Sequence, residues 1–255
     1  MYCLPLTGHL DRDQAAPVAC AADAGLHAGR ATVPGDNADM SRHVVLAGAT
    51  GLVGGHLLQQ LLDDADIADV VALTRRPLPI PHPKLVPAVV DFAHLADLAL
   101  PHVDDCFLCL GTTIRAAGSP DAFRQVDFAL PLAIAQMALA AGATRCFVVS
   151  AMGADARSRV FYNRVKGELE DALNALPLRT VVAFRPALLD GDRTEYRAGE
   201  HAALAVLRPL GSLLPARWRP VAASTVARAM MGAARRDEAG RSVIEADAIQ
   251  RFATG

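Results

Sequence analysis

The sequence predicts a doubly wound α/β fold: a mostly parallel sheet with helices on both faces and a small cap near the C-terminus. Three observations carry this. Strand-like and helix-like stretches alternate from Arg42 onward, the pattern of parallel strands joined by right-handed crossovers. The stretches 145–149 and 180–184 are continuously apolar after their first residues, Arg145 and Thr180, as in strands buried on both faces. The run His43-Val44-Val45-Leu46-Ala47 passes directly into Gly48, Gly51 and Gly54, then into Leu57, Leu58, Leu61 and Leu62 at helical spacing. That is strand, tight turn and helix in immediate succession.

In chain order, residues 1–40 alternate Gly, Ala, Asp and Pro without periodicity and read as a flexible extension. They do not read as a secretory signal, because a charged leader is missing and Pro5, Gly8 and His9 interrupt the one apolar run. Met40 directly precedes the first strand, and translation from it would omit the extension, a point that intact mass decides. Residues 41–255 form the remaining domain. Strands are expected at 43–48, 69–74, 85–90, 104–110, 145–150, 179–185 and 242–245, and helices at 52–64, 121–142, 160–176 and 222–235. Five prolines between Pro77 and Pro87 make that stretch a surface loop. The pattern loosens after Pro186, leaving residues 187–222 for a small cap on the substrate side.

The chain of 255 residues is long enough for one α/β domain. A net charge of −2 with 5% aromatic residues gives no footprint for nucleic acid or an acidic membrane. The longest apolar stretch, 128–143, is short and broken by Gln136, so it reads as a buried helix rather than an integral membrane segment. Five cysteines without a framework suggest reduced thiols and a cytoplasmic setting. Cys106 and Cys109 share a predicted strand but point to opposite faces, so they read as packing residues. Eight scattered histidines show no ligand spacing, and no metal site is expected.

The glycine turn meets the requirement for holding a dinucleotide pyrophosphate. Gly48, Gly51 and Gly54 let the backbone approach the phosphates, and the helix start at Thr50, Leu52 and Val53 turns bare N–H groups and partial positive charge toward them. The second strand ends in Arg75-Arg76, with no carboxylate there to take a ribose 2′-hydroxyl, and Asp69 lies at the wrong end. Guanidinium pairing with a 2′-phosphate therefore favours NADP(H) over NAD(H). Asp91 and Phe92 after the third strand are expected to bracket the adenine. Leu110, Gly111, Thr112 and Thr113 after the fourth would line the pyrophosphate–ribose path.

Tyr162 and Lys166 stand at i and i+4 of a predicted helix, and the chain has only two lysines. A phenol is a poor acid at neutral pH, and a neighbouring ammonium makes it usable by favouring the phenolate. Ser150, twelve residues before Tyr162 at a strand end, is placed to hydrogen-bond a carbonyl beside it. The polar run 191–197 is read either as a ligand loop or as an ion-paired strut, and Trp218 as packing for the cap.

Together, Gly48-x-x-Gly51-x-x-Gly54, Ser150 and Tyr162-x-x-x-Lys166 resemble the short-chain dehydrogenase/reductase superfamily in its extended or atypical branch. Leu110 to Thr113, 122–127, Arg185-Pro186 and 191–193 resemble more narrowly its Tat-interacting-protein-like group. The resemblance implies a Rossmann fold binding NADP(H). Tyr162 would be the proton donor to a carbonyl oxygen, Ser150 its polariser, and Lys166 the tuner of Tyr162 and holder of the ribose. Arg185 and Pro186 would lie by the nicotinamide. Two features depart from the family pattern: Leu110 to Thr113 replaces the usual Asn-Ala-Gly, and the relay asparagine has no clear counterpart, with Asp127 near its position. The expected function is NADP(H)-dependent oxidation or reduction of a small molecule. The alternatives are an NADP(H)-binding regulatory or scaffold protein with a protein partner, and a nucleotide-sugar epimerase or dehydratase. The latter needs a second nucleotide site, for which the cap is short.

Overall fold

The computed structural model describes residues 41–92, 94–95, 98–190 and 218–253. The expected extension, most of the expected cap, the 191–197 run, Cys3 and Cys20 lie outside the described residues. Seven parallel strands form one sheet in the order β3-β2-β1-β4-β5-β6-β9. They are β1 (Arg42–Ala47), β2 (Ile67–Thr74), β3 (Leu85–Val89), β4 (Asp105–Leu108), β5 (Arg145–Val149), β6 (Thr180–Arg185) and β9 (Gly240–Glu245). A two-residue parallel pair, β7 (Leu189–Asp190) with β8 (Val221–Ala222), stands apart.

Each central strand is buried on both sides, which is why its apolar run is unbroken. Val44 and Leu46 of β1 join Phe107 and Phe147 in one core, against α1 (Leu52–Asp63), α6 (Ala223–Arg236) and α7 (Ala246–Ala253). Val45 and Ala47 join Cys106, Leu108 and Cys146 in the other, with Ile134 and Ala138 of α4 (Leu130–Ala140) and Leu169 and Leu173 of α5 (Phe161–Asn174). Phe107 and Phe147 are register partners on β4 and β5, and their rings stack at 4.8 Å. Cys106 and Cys109 do pack to opposite faces, but β4 ends at Leu108, so Cys109 sits just beyond the strand.

The expected helix 121–142 is interrupted. It divides into α3 (Pro120–Arg124), a π-helical stretch Gln125–Ala129, and α4, with a short α2 (Ile114–Ala117) before them. Pro131 explains part of this: it has no N–H for the carbonyl one turn back, so the ladder there is already broken.

The amino ends of β4 and β5 hold a buried ion pair. Arg145 Nε donates to Asp105 Oδ1 at 2.6 Å, and Nη1 donates to the Ala234 carbonyl at 2.8 Å and to Asp237 Oδ1 at 2.9 Å. Burial pushes the Asp105 carboxyl up, against the pull of Arg145. Removing one partner strands a charge in the core, at a cost of about 3–5 kcal/mol, whereas an apolar pair of similar volume is close to neutral. Arg145→Met is therefore expected to lose about 3–5 kcal/mol in urea denaturation. Arg145→Met combined with Asp105→Leu should recover most of that loss.

Candidate functional site

A cleft of about 830 Å³ opens at the carboxyl edge of the sheet, where the chain leaves β1 for one side and β4 for the other. This is the switch point at which open α/β sheets bind ligands. Gly48 has φ +91°, and a Cβ there would lie 2.5 Å from the Cys109 carbonyl oxygen. A Cβ on Gly54 would lie 2.0 Å from the Gly48 oxygen. These two glycines build the turn without lining the cleft; Thr50, Gly51, Leu52 and Val53 line it. Gly51 caps α1 without a side-chain bond, so the first-turn amides are left to a ligand.

Arg75 and Arg76 are exposed on the cleft rim, and a hydrogen bond from Thr74 Oγ1 to the Arg76 carbonyl at 2.8 Å shapes the turn that carries them. Among the described residues no carboxylate pairs with either guanidinium. Leu110, Gly111, Thr112 and Thr113 also line the cleft. Asp91 and Phe92 do not. The Asp91 carboxylate bonds His94 at 2.8 Å and Phe92 packs against the core, which corrects the expected adenine bracket. His56 of α1 lines the cleft as well and was not anticipated.

Tyr162, Lys166 and Ser150 open onto the same cleft. Helix α5, which carries Tyr162 and Lys166, is set close against the preceding loop, since a Cβ on Gly167 would meet Ala156 N at 2.2 Å. The Asp155 N–H donates to the Asn163 carbonyl at 3.1 Å and completes that contact. The Tyr162 ring lies 5.5 Å from Phe123. Lys166 is buried, with Nζ 2.7 Å from Asp127 Oδ1. Burial alone would lower its pKa, but Asp127, Tyr162 and Glu170 together hold it above the ordinary value of 10.5. The stabilisation tied to Lys166 protonation is thus full below about pH 10.5 and fades as pH rises through the higher folded value. Asp127 is fully buried on the π-helical stretch, and its Oδ2 accepts the Thr112 N–H at 2.9 Å.

Ser150 meets a partner that the sequence reading did not include. Its hydroxyl donates to Glu170 Oε1, and Glu170 is buried. Arg185 reaches the same carboxylate through Nε at 3.0 Å and Nη2 at 2.6 Å, and Glu245 through Nη1 at 3.1 Å. Arg185 is therefore withdrawn from the cleft, contrary to expectation, and its hydrogen bonds to Glu170 raise its pKa further; Pro186 does line the cleft. Glu170 follows Lys166 by four residues and Tyr162 by eight, so its place on this face was present in the helical spacing.

The site fits a dinucleotide on two observations. Gly48 and Gly54 form a turn that any Cβ would obstruct, and Asp127 Oδ1 is buried at the cleft without a hydrogen-bond partner in proper geometry. Glu170→Ala would leave Ser150 without its acceptor and Arg185 with Glu245 alone. A loss of about 1–3 kcal/mol in thermal or urea unfolding is expected.

Comparison with known proteins agrees with this geometry. A family model described as NAD(P)H-binding matches residues 48–207. The protein fmp52, mitochondrial, of Aspergillus clavatus is 36% identical over 168 residues, 63% of this chain and 72% of that protein. Protein HTATIP2 of Rattus norvegicus is 35% identical over 199 residues, 75% of this chain and 80% of that one. Among solved structures, MoeE5 in complex with UDP-glucose and NAD matches with a TM-score of 0.61 at 20% identity, over 80% of this chain and 75% of its own; that likeness bears on the fold alone. The expected cytoplasmic setting is corrected here, because the fungal relatives are named as mitochondrial proteins.

Proposed function

This chain belongs to the NAD(P)H-binding family, and on that premise we propose that it is an NADP(H)-dependent oxidoreductase of the short-chain type, acting on the carbonyl or alcohol of a small molecule. The observation that carries the proposal is convergence. One cleft receives the glycine turn, Arg75 and Arg76, and Ser150, Tyr162 and Lys166 from four separate segments of the chain. A bound nicotinamide supplies hydride transfer. The chain's own residues do the rest. Leu52 and Val53 offer amides to the pyrophosphate, Arg75 and Arg76 pair with a 2′-phosphate, and Tyr162 moves a proton to or from the reacting oxygen. Lys166 stays charged beside Tyr162 and favours its phenolate. Ala187, Leu188 and Leu189 line the cleft at the start of the 187–222 segment, which supports reading that segment as the substrate-side cap.

A second reading has its own observation. The hydrogen of Ser150 is given to Glu170, and Lys166 lies against Asp127. Two of the three expected catalytic groups thus already hold carboxylates, as suits an NADP(H)-binding regulatory protein with little turnover. NADPH oxidation over an aldehyde and ketone panel separates the two readings. Turnover that Tyr162→Phe lowers by about 100-fold or more supports the enzyme, in line with the share usually carried by a general acid. Saturable NADPH binding without turnover in either protein supports the regulator.

Cofactor choice is tested separately. Arg75→Ala with Arg76→Ala should weaken NADPH binding by about 10- to 100-fold and leave NADH binding within about twofold, as expected for loss of charge-assisted hydrogen bonds to phosphate. Equal weakening of both cofactors would refute the 2′-phosphate assignment.

A further inference from the structure

We propose that Asp127 is a direct cofactor-binding residue, its Oδ1 accepting a hydroxyl of the sugar at the reactive end of the dinucleotide. The proposal rests on the NADP(H) reading of the cleft. Asp127 is fully buried yet lines the cleft, and the two oxygens of its carboxylate are used differently. Oδ2 accepts the Thr112 N–H at 2.9 Å, which fixes the carboxylate in the loop after β4. Oδ1 is 2.7 Å from Lys166 Nζ, but no group donates to it in hydrogen-bonding geometry. The ammonium answers the charge of Oδ1, and a well-aligned acceptor direction on that oxygen remains for a ligand donor.

Gly111 shows where such a ligand would enter. A Cβ built on Gly111 lies 3.6 Å from Asp127 Oδ1 and 3.8 Å from Lys166 Nζ, so this exposed glycine is all that separates both atoms from the cleft on that side. An acceptor and a donor side by side match a sugar hydroxyl, which gives its hydrogen to Oδ1 and takes one from the ammonium. The π-helical stretch carries the carboxylate inward, and such stretches concentrate at functional sites. The cleft runs from Arg75 and Arg76 to Tyr162 and Ser150, and Asp127 with Lys166 belongs to the Tyr162 end. That is the end at which the nicotinamide sugar lies on the present reading.

The test is calorimetric titration of the full chain with NADPH and with 2′,5′-ADP, which lacks the second sugar. Asp127→Ala should weaken NADPH by about 10-fold or more and leave 2′,5′-ADP within about twofold, the share of one hydrogen bond to a charged group. Asp127→Asn has one oxygen for two positions; with it on the Thr112 N–H, an NH2 group replaces Oδ1, so NADPH should weaken here as well while 2′,5′-ADP stays within about twofold. Gly111→Ala is the second route, useful if Asp127→Ala does not fold. The added methyl fits at ordinary contact distance but covers Oδ1, so it too should weaken NADPH selectively. Unchanged NADPH affinity in Asp127→Ala and Gly111→Ala would overturn the proposal. So would equal weakening of both ligands, which marks a structural role. A wild-type protein that binds neither ligand would overturn the cofactor reading and this inference with it. Wild-type binding with unselective variants would overturn this inference alone.

Discussion

The contact on which the site depends is between two pieces of backbone. Gly48, at the end of β1, approaches the Cys109 carbonyl at the end of β4 so closely that no side chain fits between them. β1 and β4 are neighbours in the middle of the sheet, and their connections leave in opposite directions. Holding their ends together while the loops part creates the crevice and aims the first turn of α1 into it. Gly54 repeats the requirement one turn later by letting α1 pack onto the Gly48 carbonyl. Position 48 thus constrains how the ends of β1 and β4 meet and how α1 packs onto them.

Buried charge is handled in two ways in this fold. At the amino edge, Arg145 pairs with Asp105 and with the Ala234 carbonyl at the end of α6. At the carboxyl edge, α5 presents Tyr162, Lys166 and Glu170 along one stripe. Asp127 meets Lys166 from the π-helical stretch, and Arg185 meets Glu170 from β6. The pairs keep each charge affordable in the interior, but one oxygen of Asp127 is left incomplete.

Ser150 shows how a chemical role depends on what lies behind a residue. A serine that polarises a carbonyl must donate its hydrogen toward the cleft. Here the hydrogen goes to Glu170, so Ser150 presents lone pairs to whatever enters. Arg185 is subject to the same carboxylate, and its guanidinium turns away from the cleft toward Glu170 and Glu245. One unanticipated glutamate therefore alters the reading of two residues that the family resemblance had assigned.

The parallel sheet, the glycine turn, the arginine pair after β2 and the Tyr162–Lys166 spacing were legible because each is a local pattern whose period or steric demand is written in neighbouring residues. Even Glu170 lay within reach, four residues beyond Lys166 on the same helix face. The break in the 121–142 helix was signalled only by Pro131, and its consequence, a carboxylate turned inward, depends on a helix and a strand-end loop more than a dozen residues away. Asp91 and Arg185 carried the right residue types at the right strand ends, yet nearer partners claimed them. The sequence alone determined the order of elements and the chemistry available at each strand end. Tertiary structure decided which of those groups face the cleft and which pair behind it, because the partners of a buried charge come from distant segments and only packing brings them within a hydrogen bond.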